Sequence, residues 1–424
     1  DADLVITSYS IIARDLAEFI QVPWVRLVLD EAQNVKNADA HQARAARAVA
    51  AAVPRRVALT GTPVENRLAE LRSIMEILNP GLLGSADQFR QRFAVPIERH
   101  RDDAATRHLT ELVAPFVLRR TKSDRRIVPE LPDKVERTER CELTAEQVSL
   151  YRAVVDELLD ELPDGEPGGG RGSRRGSKAS VGDDWRSGPP LTEMQRRGRV
   201  LASIGRLKAV CNHPAQLTGD DEPLDGRSGK LARLEDVVDE ILAEGGRALV
   251  FTQFPTFGRR LRDHLTRRFG VEVLFLHGGT PRAERDAMVA RFQAADGEGA
   301  GLFDAPPLFL LSLKAGGVGL NLTAASHVLH FDRWWNPAVE SQATDRAYRI
   351  GQHRNVQVRT FVSTGTIEDR IDELLRSKQD LADLVIGNVE NWLSDLDPDR
   401  IHDLVRLDDA VVAAASAAEV PRAR

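Results

Sequence analysis

The stretch from Leu308 to Gln352, reading LFLLSLKAGGVGLNLTAASHVLHFDRWWNPAVESQATDRAYRIGQ, constrains the fold more than any other part of this chain. It opens with a continuous apolar run, Leu308–Leu313. A run that short, without polar alternation, suits a strand buried on both faces of a helix-covered parallel sheet. Gly316, Gly317 and Gly319 follow, where a backbone can approach a phosphate or another chain closely. A second apolar run, His327–Phe331, ends at Asp332, and Trp334-Trp335-Asn336-Pro337 then marks a turn before a helix. On that helix Gln342, Arg346 and Arg349 are spaced by four and three residues. The spacing puts one amide and two guanidiniums on a single face, which can grip a phosphate. An ordinary surface pair between Asp345 and Arg349 is the alternative for the same residues.

The 424 residues, 42% of them hydrophobic, can bury more than one core, and about two to four domains are expected. A net charge of −6 excludes a uniformly basic nucleic-acid coat, though not a local basic channel. Cys141 and Cys211 form no CxxC pair; with His213 alone nearby they read as buried thiols rather than zinc ligands, in a reducing compartment. No apolar run is long enough to span a membrane.

Taken in order, Leu4–Thr7 is expected to be a buried strand and Val25–Leu29 another, the second ending in Asp30-Glu31-Ala32-Gln33. Paired acids just past a parallel strand sit where open α/β sheets bind ligands. One acid can hold Mg²⁺ while its neighbour orients or deprotonates a water; the plainer alternative is a pair complementing a helix dipole. Val57–Leu59 makes a third strand, whose Thr60-Gly61-Thr62-Pro63 would lie beside Asp30 in a parallel sheet. The pattern is helical from Asn66 to about Arg120, and Pro129 and Pro132 mark a linker. Thr144 and Gln147 form a capping box at the start of a further helix. Pro163–Pro190, rich in Gly, Ser and Arg, is expected to be a disordered insertion. Gly226-Arg227-Ser228-Gly229-Lys230 is too short for a phosphate loop, and no Ser or Thr follows the lysine; an amphipathic helix begins there instead. Strand-like runs at Ala248–Phe251, Val271–Leu276, Leu308–Leu313, Val328–Phe331 and Val356–Phe361 alternate with helical stretches, which predicts a second parallel α/β sheet.

Together these residues resemble the Swi/Snf-type family of superfamily-two helicase-like ATPases, the chromatin-remodeller-like DNA translocases and their bacterial relatives. Asp30-Glu31-Ala32-Gln33 is similar to motif II, and Leu59–Pro63 with Glu65-Asn66 to motif III. Val250–Phe254 resembles motif IV, Ser312–Leu322 motif V, Trp334–Pro337 the family's extra tryptophan motif and Gln342–Gln352 motif VI. Cys211-Asn212-His213-Pro214 and Leu276-His277-Gly278 also recur in such proteins. The resemblance implies an α/β fold of two RecA-like lobes with helical protrusions between them. The expected division is 1–65 for lobe one, 66–135 and 136–219 for two protrusions (the second holding insertion 163–190), 220–394 for lobe two and 395–424 for a tail. The family's G-x-x-x-x-G-K-[ST] loop is absent from the sequence, and the chain, which opens on Asp1, is read as a fragment expected to be inactive alone.

By the same resemblance the cofactors are ATP and Mg²⁺. Asp30 would help hold Mg²⁺, Glu31 would activate water, Arg346 and Arg349 would act as arginine fingers and Gln342 would contact the γ-phosphate or the water. Gly317 and Gly319 would approach nucleotide or DNA, while Thr60, Ser312, Lys314, Asn321, Trp334 and Trp335 are the candidates for DNA contact or for coupling to it. The expected partner is double-stranded DNA, with a DNA-bound protein such as RNA polymerase equally open. A monomer in the cytoplasm, on the nucleoid if bacterial, is expected. A strand-separating DNA or RNA helicase and a non-catalytic DNA-binding scaffold are the rival readings.

Overall fold

A computed structural model describes residues 2–37, 40–61, 68–100, 102–118, 120, 122, 128–161, 193–294, 305–312, 319–334, 336–377 and 398–418. Insertion 163–190 lies outside them, as do Thr62–Asn66 and the motif V residues Leu313–Val318. The chain divides into two compact units, one built on Asp1–Pro129 and the other chiefly on Glu130–Trp335 and Val339–Arg376.

The first unit pairs strands β1 (Arg26–Leu29) and β2 (Arg55–Ala58) in parallel, with Leu29 opposite Ala58. Helices α1 (Tyr9–Arg14), α2 (Leu16–Phe19), α3 (His41–Ala51) and α4 (Leu68–Leu78) accompany this pair. Leu29 packs against Ala43, Ala46 and Ala50 of α3 and Ile74 and Ile77 of α4. The small alanines let α3 come close to the strands, which is the use of an alanine-rich helix here. Val28 and Val57, side by side on the other face, are half exposed. The run Leu4–Thr7 is not a strand: Leu4 and Ile6 are 76% and 88% exposed, and no described strand pairs with them. An apolar β-branched run becomes a strand only when a neighbour takes its backbone hydrogen bonds. A second apolar cluster forms where α4 meets α5 (Ala86–Phe89), α6 (Val95–His100) and α7 (Asp103–Val113), around Leu71, Met75, Phe89, Phe93 and Leu109. Asp102 caps α7 by accepting from the Ala104 and Ala105 amides.

In the second unit β3 (Lys134–Cys141), β4 (Ala248–Thr252), β5 (Val273–Leu276), β6 (Leu308–Ser312), β7 (His327–His330) and β8 (Val356–Ser363) form one parallel sheet, ordered β3-β8-β7-β4-β6-β5. Strands β4, β6 and β7 are buried along their whole length, which accounts for the apolar runs of β4 and β6 and for the burial of both histidines that bound β7. The described helices of this unit are α8 (Ala145–Glu161), α9 (Glu193–Asn212), α10 (Pro214–Thr218), α11 (Gly229–Ala243), α12 (Pro255–Phe269), α13 (Arg282–Gln293), α14 (Pro337–Thr344), α15 (Ile367–Ser377), α16 (Pro398–Val405) and α17 (Asp409–Ala418). The predicted capping box is present, with the Gln147 amide donating to Thr144 Oγ1 and the Thr144 amide to Gln147 Oε1, both at 3.2 Å. Lys230 is no phosphate ligand: its ammonium is fully buried, 2.7 Å from the equally buried Glu368 carboxylate.

Candidate nucleotide and DNA-contacting residues

Asp30 and Glu31 leave the carboxyl end of β1 through an irregular step in the ladder. The Leu59 amide donates to Leu29 O at 2.8 Å, and Leu59 O accepts from Ala32 rather than from Glu31, at 2.9 Å. One extra residue is thereby squeezed into the β1 side, the geometry of a bulge. Glu31 absorbs it with φ 48° and ψ 54°, the one positive φ outside glycine among the described residues. Its carboxylate is then held in place. Gln33 Nε2 donates to Glu31 Oε2 at 2.5 Å, and Thr60 Oγ1 donates to Gln33 Oε1 at 2.7 Å. Thr60 therefore acts through Gln33 on the Glu31 carboxylate, from the neighbouring strand end that the sequence placed beside it. Asp30 is exposed, and its Oδ1 accepts the Glu31 amide at 3.0 Å.

Tyr9 was not evident from the sequence as part of this group. Its hydroxyl donates to Asp30 O at 2.7 Å. Burial, then the charges of Asp30 and Glu31, push its pKa up to about 12, so it remains a donor. A lone tyrosine 21 residues before Asp30 gives no local signal.

The second unit carries Gln342, Arg346 and Arg349, and here the expected single helix face is wrong. Helix α14 stops at Thr344, and the residues after it run as turns. The Arg346 amide bonds Ala343 O and the Arg349 amide bonds Ala347 O, so the i→i−4 ladder is interrupted, although the Tyr348 amide still reaches Thr344 O at 3.0 Å. Three ties account for the break. His330 Nε2 meets Thr344 Oγ1 at 3.0 Å. Arg346 O accepts the Leu322 amide at 2.9 Å. Buried Gln352 has Ala325 O and Ala347 O within 2.8 and 3.1 Å of its Nε2, and its Oε1 accepts from His353 and Arg354. The two arginines consequently differ: Arg346 is 6% exposed, whereas Arg349, like Gln342, is exposed.

Of the other expected contacts, Ser312 is buried at the end of β6 and Asn321 is exposed. Gly319 has φ +74°, a conformation strained for any side chain. Lys314, Gly317 and Trp335 lie outside the described residues. Trp334 is half-buried, and its amide donates to Glu340 Oε1 at 2.7 Å. Glu340 also pairs with Arg333 at 2.9 Å; burial pushes its carboxyl up to about 7, against the pull of that guanidinium.

Residues 1–216 match the family model of the SNF2-related domain, and 229–351 match that of the helicase conserved C-terminal domain. YwqA of Bacillus subtilis, whose name describes an ATP-dependent helicase/translocase, is 43% identical over 96% of this chain and 40% of its own length. The mouse SWI/SNF-related matrix-associated actin-dependent regulator of chromatin subfamily A member 1 is 31% identical over 91% of the chain and 34% of its own. The chain thus spans well under half the length of these relatives. The solved SWI2/SNF2 ATPase core of Sulfolobus solfataricus in complex with double-stranded DNA is 36% identical, with a TM-score of 0.52 over 96% of this chain and 78% of that one. With its motif residues at the ends of parallel strands and two family models covering most of its length, the chain belongs to the SNF2-related family of helicase-like proteins.

Proposed function

We propose that this chain is part of the catalytic core of an ATPase that moves along double-stranded DNA and remodels protein–DNA complexes. The observation that carries the reading is the Glu31 carboxylate, fixed by Gln33 and Thr60 at a strand end beside exposed Asp30. The solved DNA complex of the Sulfolobus relative supports the choice of duplex. Mg²⁺ is usually held by one or two carboxylates with water and phosphate oxygens, and Asp30 offers that donor chemistry. There it would neutralise phosphate charge. Glu31 takes the proton of the attacking water, and Gln33 keeps its carboxylate aimed. Arg346 and Arg349 donate to charge developing on the γ-phosphoryl oxygens, a role worth roughly 10³–10⁵ in rate in related phosphoryl transfer. Gln342 contacts the γ-phosphate or the water. Gly317 and Gly319 bring the backbone close to nucleotide or DNA, and Thr60, Ser312, Lys314, Asn321, Trp334 and Trp335 serve the duplex, through phosphate-backbone contacts that position it without reading sequence, or the coupling to it. The protein acts as a monomer in the cytoplasm, on DNA that also carries a partner such as RNA polymerase.

The test uses the full-length protein that contains this chain. Glu31→Gln should bind ATP with Mg²⁺ and stall, and Arg349→Ala should lose orders of magnitude in DNA-stimulated hydrolysis with DNA affinity within a few-fold. Arg346→Ala, at a buried position, should lose folding stability as well. Hydrolysis at the parental rate in all three overturns the assignment. Unwinding of a forked duplex favours a strand-separating helicase, and DNA binding without turnover favours a scaffold. Residues 1–424 contain no G-x-x-x-x-G-K-[ST] run, so alone they should not exceed a Glu31→Gln control.

A further inference from the structure

The carboxyl ends of β4 and β7 meet α9 through two polar bridges that the nucleotide chemistry does not use. Lys208 and Asn212 stand one helical turn apart on α9 and so project from one face. The Lys208 ammonium donates to Gln253 Oε1 at 2.9 Å, and Gln253 Nε2 donates to Arg333 O at 2.9 Å. Asn212 Nδ2 donates to the Asp332 carboxylate at 3.3 Å. Asp332 also accepts from the Thr252 hydroxyl at 2.6 Å and the Gln253 amide at 3.0 Å. From Arg333 the connection continues to Glu340, whose other oxygen takes the Trp334 amide.

This array is built at a cost. Asp332 is fully buried and Lys208 is 5% exposed, and a buried charge needs partners to be tolerated. Burial pushes the Asp332 carboxyl up, while Lys208, the Thr252 hydroxyl and Lys230 pull it back. Apolar side chains would close the same space without that cost, so the polar array points to a demand for one fixed arrangement of α9 against the strand ends.

We propose that Asp332 and Lys208 are positioning residues that lock α9 to the Trp334 backbone, so that a displacement of the helical segment carried by α9 reaches the tryptophan instead of being absorbed in a loop. The coupling role rests on the DNA-translocase reading; the mechanical link does not.

Hydrogen exchange on the full-length protein tests the link directly. In Asp332→Asn, peptides covering 204–212 and 331–334 should both exchange about tenfold faster, as a local opening does after loss of a charged hydrogen bond, with β5 unchanged. Lys208→Met, the milder lesion, should accelerate the same two regions. Combining Asp332→Asn with Asn212→Asp restores one carboxylate and one amide to the bridge and should return both to within about threefold of the parent. Acceleration confined to 331–334, acceleration that includes β5, or no rescue by the swap each overturns the proposal, the second because the array would then merely hold the fold. As a second readout, triplex displacement per ATP hydrolysed should fall in Asp332→Asn while hydrolysis stays within about threefold, since the lesion spares groups acting on the γ-phosphate. A parent protein without displacement sinks the translocase reading and leaves the exchange result standing.

Discussion

Glu31 shows what the site demands of one residue. A left-handed backbone costs an L-residue roughly 1–2 kcal/mol, and glycine would escape that cost. Glycine has no carboxylate, so the strain is consistent with the acid role proposed for Glu31. Glu31→Gly and Glu31→Ala both remove the carboxylate, and neither variant should hydrolyse ATP. They differ in backbone freedom, so the glycine variant should be the more stable by about 1 kcal/mol. Urea titration read by hydrogen exchange in α3 measures the difference. Equal midpoints would mean that the bulge relaxes once the carboxylate is gone, and that the conformation stores no strain.

Among the elements, what could be read from the sequence was whatever burial writes into local pattern. The apolar runs of β4 and β6, and the shorter one inside β7, were legible as strands because both faces of each are covered. The capping box gave the start of α8 because its two partners stand three residues apart. Strand β3 left no such trace. Its sequence KVERTERC is charged at five of eight positions because it is an exposed edge, and it pairs with β8 across more than 200 residues. The end of α14 was hidden for the same reason: no glycine or proline follows Thr344 before Gly351, and the break comes from His330, Leu322 and Gln352. The Lys230–Glu368 pair joins the starts of α11 and α15 across 138 residues. Lys230→Met alone strands a buried carboxylate and should cost about 3–5 kcal/mol. Adding Glu368→Gln removes that stranded charge while keeping an acceptor for the Ser363 amide, and should recover most of the loss. Chemical unfolding of the single and double variants decides this; equal destabilisation would show that Lys230 acts by packing alone.

At the scale of the molecule, the second unit's buried titratable groups set opposing responses to pH. Burial lowers the pKa of His213, His327 and His330, the last to about 3. Each is neutral in the fold and takes up a proton on unfolding below its ordinary value near 6.5. Stability from these histidines is complete above about 6.5 and falls as pH drops toward the folded values, at up to about 1.4 kcal/mol per pH unit for each proton. Glu340 works the other way. Its carboxyl, raised from 4.5 to about 7, stays protonated in the fold at pH values where the unfolded chain has ionised, so it adds stability as pH falls through about 7. Buried Asp332 shifts in the same direction as Glu340. From about 7 down to 4.5 the acids therefore oppose the histidines, and the net acid loss should be shallow; below about 4.5 the histidines are no longer opposed by Glu340 and the loss should steepen. His330→Phe keeps a ring against Phe251 and should flatten the profile below about 6.5. Glu340→Gln removes an opposing term and should make the decline between 7 and 4.5 steeper than in the parent. Unfolding free energies measured across that range check both slopes. A Glu340→Gln profile shallower than the parent's would reverse the sign, and with it the assignment of a raised carboxyl pKa to Glu340 beside the Trp334 amide.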